Sequence, residues 1–517
     1  MNTARTSKRR TGFVAAALAT VLGASVVSFP RTVASQGSPS ADAPATVSPP
    51  TPAGPAIESK VSSKAPSLKA ATEKLVDGIK DIGGVVGVAI VDVGTGDLLA
   101  AHAEHKALNP ASNAKLLTAA AALAVLGPNH KYVTALYGVQ KGANVGTLTL
   151  RGTGDPSLTT ADLWELARGL KDAGVKRIDG DIVVDQRFFD EQFVPPAYDQ
   201  QPSEWAPFRA NVSAVALNEN TVTMTVRPGQ KGGAAFVSFD PPGFVDVEGS
   251  VKTAESSAAQ SITLNLAPAG TRLKASIGGS VPENAKAMSF TKRADNPNLL
   301  AGYALKALLT QSGITVGGDV KAGEGGKGGA ISSHTSKPLS TLLYELGKVS
   351  DNFYAEMVFK SLALERKGRP AKAGNAAEIV TKFLEETGAF EEGDVVKNGS
   401  GLFDANRTTA ATFAKVLRTA YRDPTYGNEY VSQLAIGGSD GTLRSRFKGA
   451  KQRMVVRAKT GTLEGAASLS GYVLAPAGRA PIAFSILVNG VAGKVGDARH
   501  AMDKCVNQIV EYLYKDG

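Results

Sequence analysis

What most constrains this 517-residue chain is a change of texture in its middle. Up to about Lys131, and again after Pro338, apolar residues recur at helical spacing. SLKAATEKLVDGIKDIG carries Leu68, Ala71, Leu75 and Ile79 on one face. LSTLLYELGKVSDNFYAEMVFKSLALE, AEIVTKFLEETG and TTAATFAKVLRTAY repeat the pattern. Between them, from Tyr132 to Lys337, the text is rich in Gly, Thr and Val. Short apolar runs follow one another there: TLTLRG, DGDIVVD, TVTMTV, SITLNLA and LKASIGG. Such runs, bounded by turn residues, read as strands. The outer halves carry strands too. VVGVAIVDVGTGDLLAAHAEH reads as a pair about a GTGD turn. QRMVVRAKTGT, AASLSGYVLA and PIAFSILVNG read as an antiparallel meander before a last helix, DARHAMDKCVNQIVEYLY. The expected fold class is therefore α/β (α+β): a helix-flanked antiparallel sheet made by residues 67–131 and 338–517. It is split by a β-rich insert at 132–337 of one or two domains, with a helix at LTTADLWELARGLKDAG and a helix–strand pair in LLAGYALKALLTQSGITVGGDV.

The first residues read differently again. Arg5, Lys8, Arg9 and Arg10 precede an apolar run from Phe13 to Phe29, and small residues follow at Val33, Ala34 and Ser35. A basic start, an apolar middle and a small-residue exit mark residues 1–35 as a secretory signal, or an uncleaved N-terminal anchor. Both imply export. The Pro/Ala/Ser-rich tract at 36–66 reads as an extended linker that would hold the folded part off a membrane or wall. Net charge is +10 with pI near 9.3, which suits anionic surroundings and equally an ordinary basic surface. No Lys/Arg run interleaved with aromatics points to nucleic acid. The single cysteine, Cys505, permits no internal disulfide. No Cys/His set has metal spacing; His102 and His105, three apart without further ligands nearby, read as solvated.

Chemistry is concentrated in three short motifs. NPASNAKLLTAAAAL places Ser112 and Lys115 one helical turn apart at the start of an apolar helix that Gly127-Pro128 stops. A serine hydroxyl needs a base, and a lysine serves only if burial or a neighbouring cation lowers its pKa. The helix start favours negative charge developing nearby. Ser350-Asp351-Asn352 lies between two apolar helical segments, where the serine could relay a proton and the amide could hold a substrate carbonyl; alone it would equally be a helix cap. Lys459-Thr460-Gly461 precedes Thr462 and a strand. Lys459 would present a cation and Thr460 a hydroxyl to a substrate carboxylate, while Gly461 leaves room for close backbone approach. The S-x-x-K spacing recurs at Ser289/Lys292 and Ser445/Lys448, read as accident. Gly437-Gly438-Ser439-Asp440-Gly441 fits the G-x-S-x-G nucleophile elbow, but only His500 follows it and no βαβ rhythm surrounds it, so it reads as a glycine-rich turn.

S-x-x-K, S-D-N and K-T-G in that order form the serine acyl-transferase set of penicillin-binding proteins and β-lactamases. With PASNAKLLTAAAAL, GTGDPSL, ALNENTVTMTVRPG, SDNFYAEM, NGSGLFDANRTT, GGSDGTLRSRF and AKTGTLEGAASLSGYV, the chain resembles the D-alanyl-D-alanine carboxypeptidases. Within these it resembles the class C low-molecular-mass penicillin-binding proteins, the S13 peptidases, over roughly 67–515. The long gap between Ser112 and Ser350 agrees with the domains that family inserts there. The chain departs from the family at Phe403, where members tend to carry serine.

The resemblance implies roles. Ser112 would be the acylated nucleophile and Lys115 its base. Ser350 and Asn352 would shuttle protons and hold substrate, and Lys459 and Thr460 would bind the terminal carboxylate. The backbone N–H groups of Ser112 and Thr462 would form the oxyanion hole. Tyr198, Asp199 and Trp205 of the insert are candidates for a side-chain subsite, or belong to a solvated loop with one packed tryptophan. The implied substrates are peptidoglycan stem peptides ending in D-Ala-D-Ala, with β-lactams as covalent inhibitors and no cofactor or metal. Membrane contact is expected only through an N-terminal anchor, and the site of action is extracytoplasmic, in the wall or periplasm. Endopeptidase cleavage of cross-links, a β-lactamase and a non-catalytic wall-binding protein are the competing readings; the insert argues against the second and the complete motif set against the third.

Overall fold

The run VVGVAIVD has no polar partner for either face, and the structure buries it on both. In the computed structural model, which describes residues 61–449 and 451–515, it forms β1 (Val85–Asp92). Around it are assembled α1 (Pro66–Asp81), β2 (Leu98–His102), α2 (Ala114–Leu126), α3 (Asn352–Lys367), α4 (Ala373–Glu386), α5 (Ala410–Arg422), β3 (Ala435–Ile436), β4 (Val456–Leu463), β5 (Ala466–Val473), β6 (Ile482–Asn489) and α6 (Val495–Leu513). The six strands lie in the order β3-β4-β5-β6-β1-β2, every neighbour antiparallel. β1 and β6 pair from Val85↔Asn489 to Asp92↔Ile482, so the two sequence halves share one sheet.

Helices cover both faces. Leu68, Leu75 and Ile79 of α1 and Met502, Val506 and Ile509 of α6 pack on Val88, Ile90, Leu469 and Phe484. On the other face α2, α3, α4 and α5 share a core with Tyr472, Ala483 and Leu487. α2 runs through the middle of that layer and is buried nearly all round. Its alanine run, Ala119–Ala122, lets neighbouring helices approach closely, at a gain of about 25 cal/mol per Å² of apolar surface removed from water. It stops at Gly127, whose φ of 80° suits glycine, with Pro128 next.

The insert contains two packed cores. One joins a five-stranded sheet, ordered Val320–Ala322, Ile182–Asp185, Leu148–Gly152, Val133–Gly138 and Gly329–Thr335, to the helices Thr160–Asp172 and Leu300–Gln311. The other lies among Thr221–Arg227, Phe236–Asp240, Met288–Arg293 and the strands about Arg272–Pro282. Several insert pairs are parallel, among them Leu148–Gly152 with Ile182–Asp185, which the helix Thr160–Asp172 connects.

The signal or anchor expected at 1–35 and most of the expected linker lie outside the described residues. The linker's last residues belong to the fold: the Ser62 N–H donates to Leu98 O at 2.8 Å, Ala65 is buried against α6, and Pro66 is the first residue of α1, a place where its missing N–H costs nothing. His105 is mostly exposed, with Glu391 Oε2 2.8 Å from Nδ1.

Candidate active site

Ser112 stands where a 3₁₀ turn, Ala111–Asn113, runs into α2. Ala111 takes a left-handed φ of 47°, a conformation a non-glycine residue adopts only when its surroundings over-determine it. They do. Ser468 Oγ donates to Pro110 O at 2.7 Å. Asn489 brackets Asn109, accepting from its N–H at 2.8 Å and donating to its carbonyl at 3.0 Å. Gly461 of β4 closes the other side. A Cβ there would lie 2.9 Å from both Pro110 O and Ser112 N, so glycine is what lets the strand backbone meet the Ser112 turn.

Lys115, one turn along α2, is buried, and its Nζ has three acceptors: Ser112 Oγ at 3.1 Å, Asn352 Oδ1 at 2.6 Å and Ser400 O at 2.7 Å. Burial pulls its pKa down to about 7, against the charges of Asp351 and Glu356. A neutral amine has two N–H groups and one lone pair. The two shorter contacts take the donors, which leaves the lone pair facing the Ser112 hydroxyl. That is the arrangement a general base requires.

The S-D-N segment follows a π-turn at Glu345–Val349. Ser350 sits at φ 71°, and Asp351 caps α3 by accepting from the Tyr354 N–H at 2.8 Å. Asn352 is gripped from both ends: Oδ1 faces Lys115, and Nδ2 donates to Phe208 O of the insert at 2.8 Å. Lys459 donates to Ser350 Oγ at 2.7 Å and to Thr460 O at 2.8 Å. It is fully buried, and burial, reinforced by Lys115, holds its pKa well below the usual lysine range. Thr460 Oγ1 bonds Thr442 Oγ1 at 2.9 Å, and Thr462 Oγ1 accepts from Arg499 at 2.6 Å. Ser112, Ser350, Thr442, Thr460, Thr462 and Arg499 line one cleft of about 330 Å³.

The structure thus brings together all three motifs from distant parts of the chain. It departs from the sequence expectations at several points. Lys459 turns its ammonium inward to Ser350 and does not line the cleft. Tyr198 is buried, its hydroxyl 3.1 Å from Ser400 Oγ, so it braces the turn that holds Lys115 and offers no subsite wall. Asp199 is exposed, and Trp205 packs beneath Arg293. The groove beside the cleft is instead walled by Gln200, Gln201, Phe208, Phe403 and Asp404. Phe403 stacks edge-on to Tyr198 with ring centroids 5.6 Å apart. Ser445 reaches the cleft, whereas Lys448 is exposed. Ser439 is exposed on a turn whose Asp440 pairs with Lys348 at 2.7 Å.

Sequence reasoning missed Glu356, Ser400, Phe208, Thr442 and Arg499. Glu356 is buried and accepts from the Ser400 N–H at 2.8 Å and the Gly399 N–H at 3.2 Å, holding the turn whose carbonyl binds Lys115. Burial raises its pKa, opposed by those hydrogen bonds. One signal was available: Glu356 follows Asn352 by four residues, hence shares its helix face. Ser400 and Thr442 stand in NGSGLFDANRTT and GGSDGTLRSRF, stretches that carry the family resemblance, whereas Phe208 and Arg499 lie in none of those stretches.

A family model described as the D-Ala-D-Ala carboxypeptidase 3 (S13) family matches residues 68–509. A D-alanyl-D-alanine carboxypeptidase of Actinomadura sp. (strain R39) is 32% identical over 450 residues, covering 83% of this chain and 82% of its own. The D-alanyl-D-alanine carboxypeptidase DacB of Haemophilus influenzae is 27% identical over 426 residues, with 81% and 87% covered. A crystal structure of penicillin binding protein 4 (dacB) from Haemophilus influenzae is similar with a TM-score of 0.69 at 25% identity, over 87% of this chain and 98% of that one. The form complexed with a β-lactam is similar with a TM-score of 0.66, again at 25% identity, over 87% and 99% of the two chains.

Proposed function

The chain belongs to the D-Ala-D-Ala carboxypeptidase 3 (S13) family and is a hydrolase of the DD-carboxypeptidase kind, and on that premise we propose that it works through an acyl-enzyme on Ser112. Ser112 Oγ attacks the carbonyl carbon of the penultimate D-Ala while Lys115 Nζ takes the hydroxyl proton. The C–N bond breaks and the leaving amine takes up a proton, relayed through Ser350, so that D-Ala departs. Water then adds to the ester, gives up a proton to the same base, and releases the shortened peptide. The N–H groups of Ser112 and Thr462 receive the oxyanion; loss of one such donor typically costs roughly 10²–10³ in rate. Asn352, held by Lys115 and Phe208 O, contacts the substrate amide.

The observation that carries this reading is the Lys115 environment: a buried amine with two short acceptors and its third contact on the serine hydroxyl. β-Lactams, by the same chemistry, acylate Ser112. The substrates are peptidoglycan stem peptides, and action outside the cytoplasmic membrane follows from them and from the signal-like residues 1–35. Among the described residues no helix is long and apolar enough to cross a membrane.

The test is intact-protein mass after benzylpenicillin, with Ser112→Ala alongside, together with D-Ala release. One penicilloyl group on the native protein alone, and D-Ala release by it alone, is the expected result. Equal labelling of both proteins would place the nucleophile elsewhere. Penicillin hydrolysed without an adduct would make the protein a β-lactamase.

A further inference from the structure

Resting on the DD-carboxypeptidase reading, the question that remains is which group meets the substrate's terminal carboxylate. Lys459 is turned inward and donates to Ser350 Oγ and Thr460 O. Arg446 lines the cleft, but Asp503 holds it through both Nε and Nη2. Arg499 differs from both. It is exposed, stands in the early part of α6, lines the same cleft as Ser112 and Ser350, and has no ion-pair partner among the described residues. Its side-chain hydrogen bond among the described residues is Nη2 to Thr462 Oγ1 at 2.6 Å.

We propose that Arg499 is the carboxylate-binding residue of this cleft and restricts the leaving residue to one with a free α-carboxylate. A guanidinium stays charged throughout the working range and presents its donors as a planar fork that matches a carboxylate. Thr462 accepts from Arg499, which leaves its own hydroxyl proton free to donate to the same carboxylate oxygen. Accepting from a cation strengthens that donor. Thr462 thus links the arginine to the strand whose N–H serves the oxyanion, so that the terminal carboxylate and the scissile carbonyl are placed by one short segment. A carboxamide terminus loses the charge pair and turns an NH₂ toward donors.

The experiment uses the whole protein with diacetyl-Lys-D-Ala-D-Ala and its C-terminal amide, measuring D-Ala or D-Ala amide release by mass spectrometry. The wild type is expected to prefer the acid at least tenfold. Arg499→Gln should lower kcat/KM on the acid by about 10- to 100-fold, chiefly through KM, and shrink the acid-over-amide preference by a similar factor, since a charged hydrogen bond is lost. Arg499→Lys should recover part of the preference. A preference unchanged in Arg499→Gln, whether both rates fall together or neither moves, overturns the assignment, as does a wild type indifferent to the terminus. A wild type that releases nothing from either peptide and forms no Ser112 adduct overturns the parent reading and this inference with it.

Discussion

Strand β5 and the insert strand Ser261–Ala269 are similar in length and both apolar in alternate or successive positions, yet they live in different environments. β5 is buried at every residue; Ser261–Ala269 alternates half-buried with exposed and ends fully exposed. β5 lies inside a sheet covered by helices on both faces. Ser261–Ala269 pairs only with Arg272–Pro282, over the small core of Met224, Val226, Val251 and Ile277. A doubly covered sheet can desolvate what is set beside it, and that is where Lys115 and Lys459 sit. A strand with one face in solvent, as Ser261–Ala269 has, cannot, but the insert has reach. It lends the site Phe208 O and Tyr198, which orient Asn352 and brace the Ser400 turn from outside the layer where the chemistry is done.

That contrast can be broken most severely at Gly461. Gly461→Val drives a side chain into Ser468 and the Ser112 turn, and D-Ala release should fall by roughly 10³ or more with a lower melting temperature. Gly146→Ala in the insert, where a Cβ meets nothing within 4 Å, should leave both measurements unchanged. Next in size is the pH response of the covered lysine. Acylation needs neutral Lys115, so its rate with benzylpenicillin should drop about tenfold per unit below about pH 7 and flatten above it. A rate independent of pH from 5 to 9 would remove Lys115 as the base.

Glu356→Gln sharpens the comparison further. Its amide can accept only one of the two N–H groups that the carboxylate holds, so the Ser400 carbonyl should drift from Lys115. Acylation should slow by roughly 10-fold while stability falls by about 1–3 kcal/mol. Loss of stability with unchanged acylation would show that the Ser400 turn does not position the base.

The smallest effect belongs to the insert's own charge centre, Asp185. Burial pushes its carboxyl up, but hydrogen bonds from Arg187 and Arg151 outweigh this and hold it below the usual carboxylate range. With the folded pKa below an unfolded value of about 3.9, its stabilisation is present above that pH and is lost as pH falls through the acid range. Melting temperature should therefore decline below about pH 4, and Asp185→Asn should flatten that decline. Lys115 of the site titrates near neutrality and Asp185 of the insert only in acid.

Much of this was legible beforehand because it depends on near neighbours in the chain. The helical spacing of Leu68, Ala71, Leu75 and Ile79 recurs as the buried face of α1, and the three closing runs form the meander β4-β5-β6. The parallel insert pairs were not legible, since a parallel register depends on a crossover that leaves no period in the strand text. At Lys459 and Tyr198 residue type suggested what a side chain can do, whereas its direction depends on what packs against it.

By itself, then, the sequence determined the mixed α and β element types and the presence of Ser112-x-x-Lys115, Ser350-Asp351-Asn352 and Lys459-Thr460-Gly461, all written in spacings of a few residues. Only the tertiary structure decided that Lys115 is dry enough to serve as a base, that Lys459 faces Ser350 while Arg499 faces the cleft, and that an insert carbonyl orients Asn352. Desolvation and side-chain direction are set by atoms brought together from hundreds of residues apart, and no local pattern encodes them.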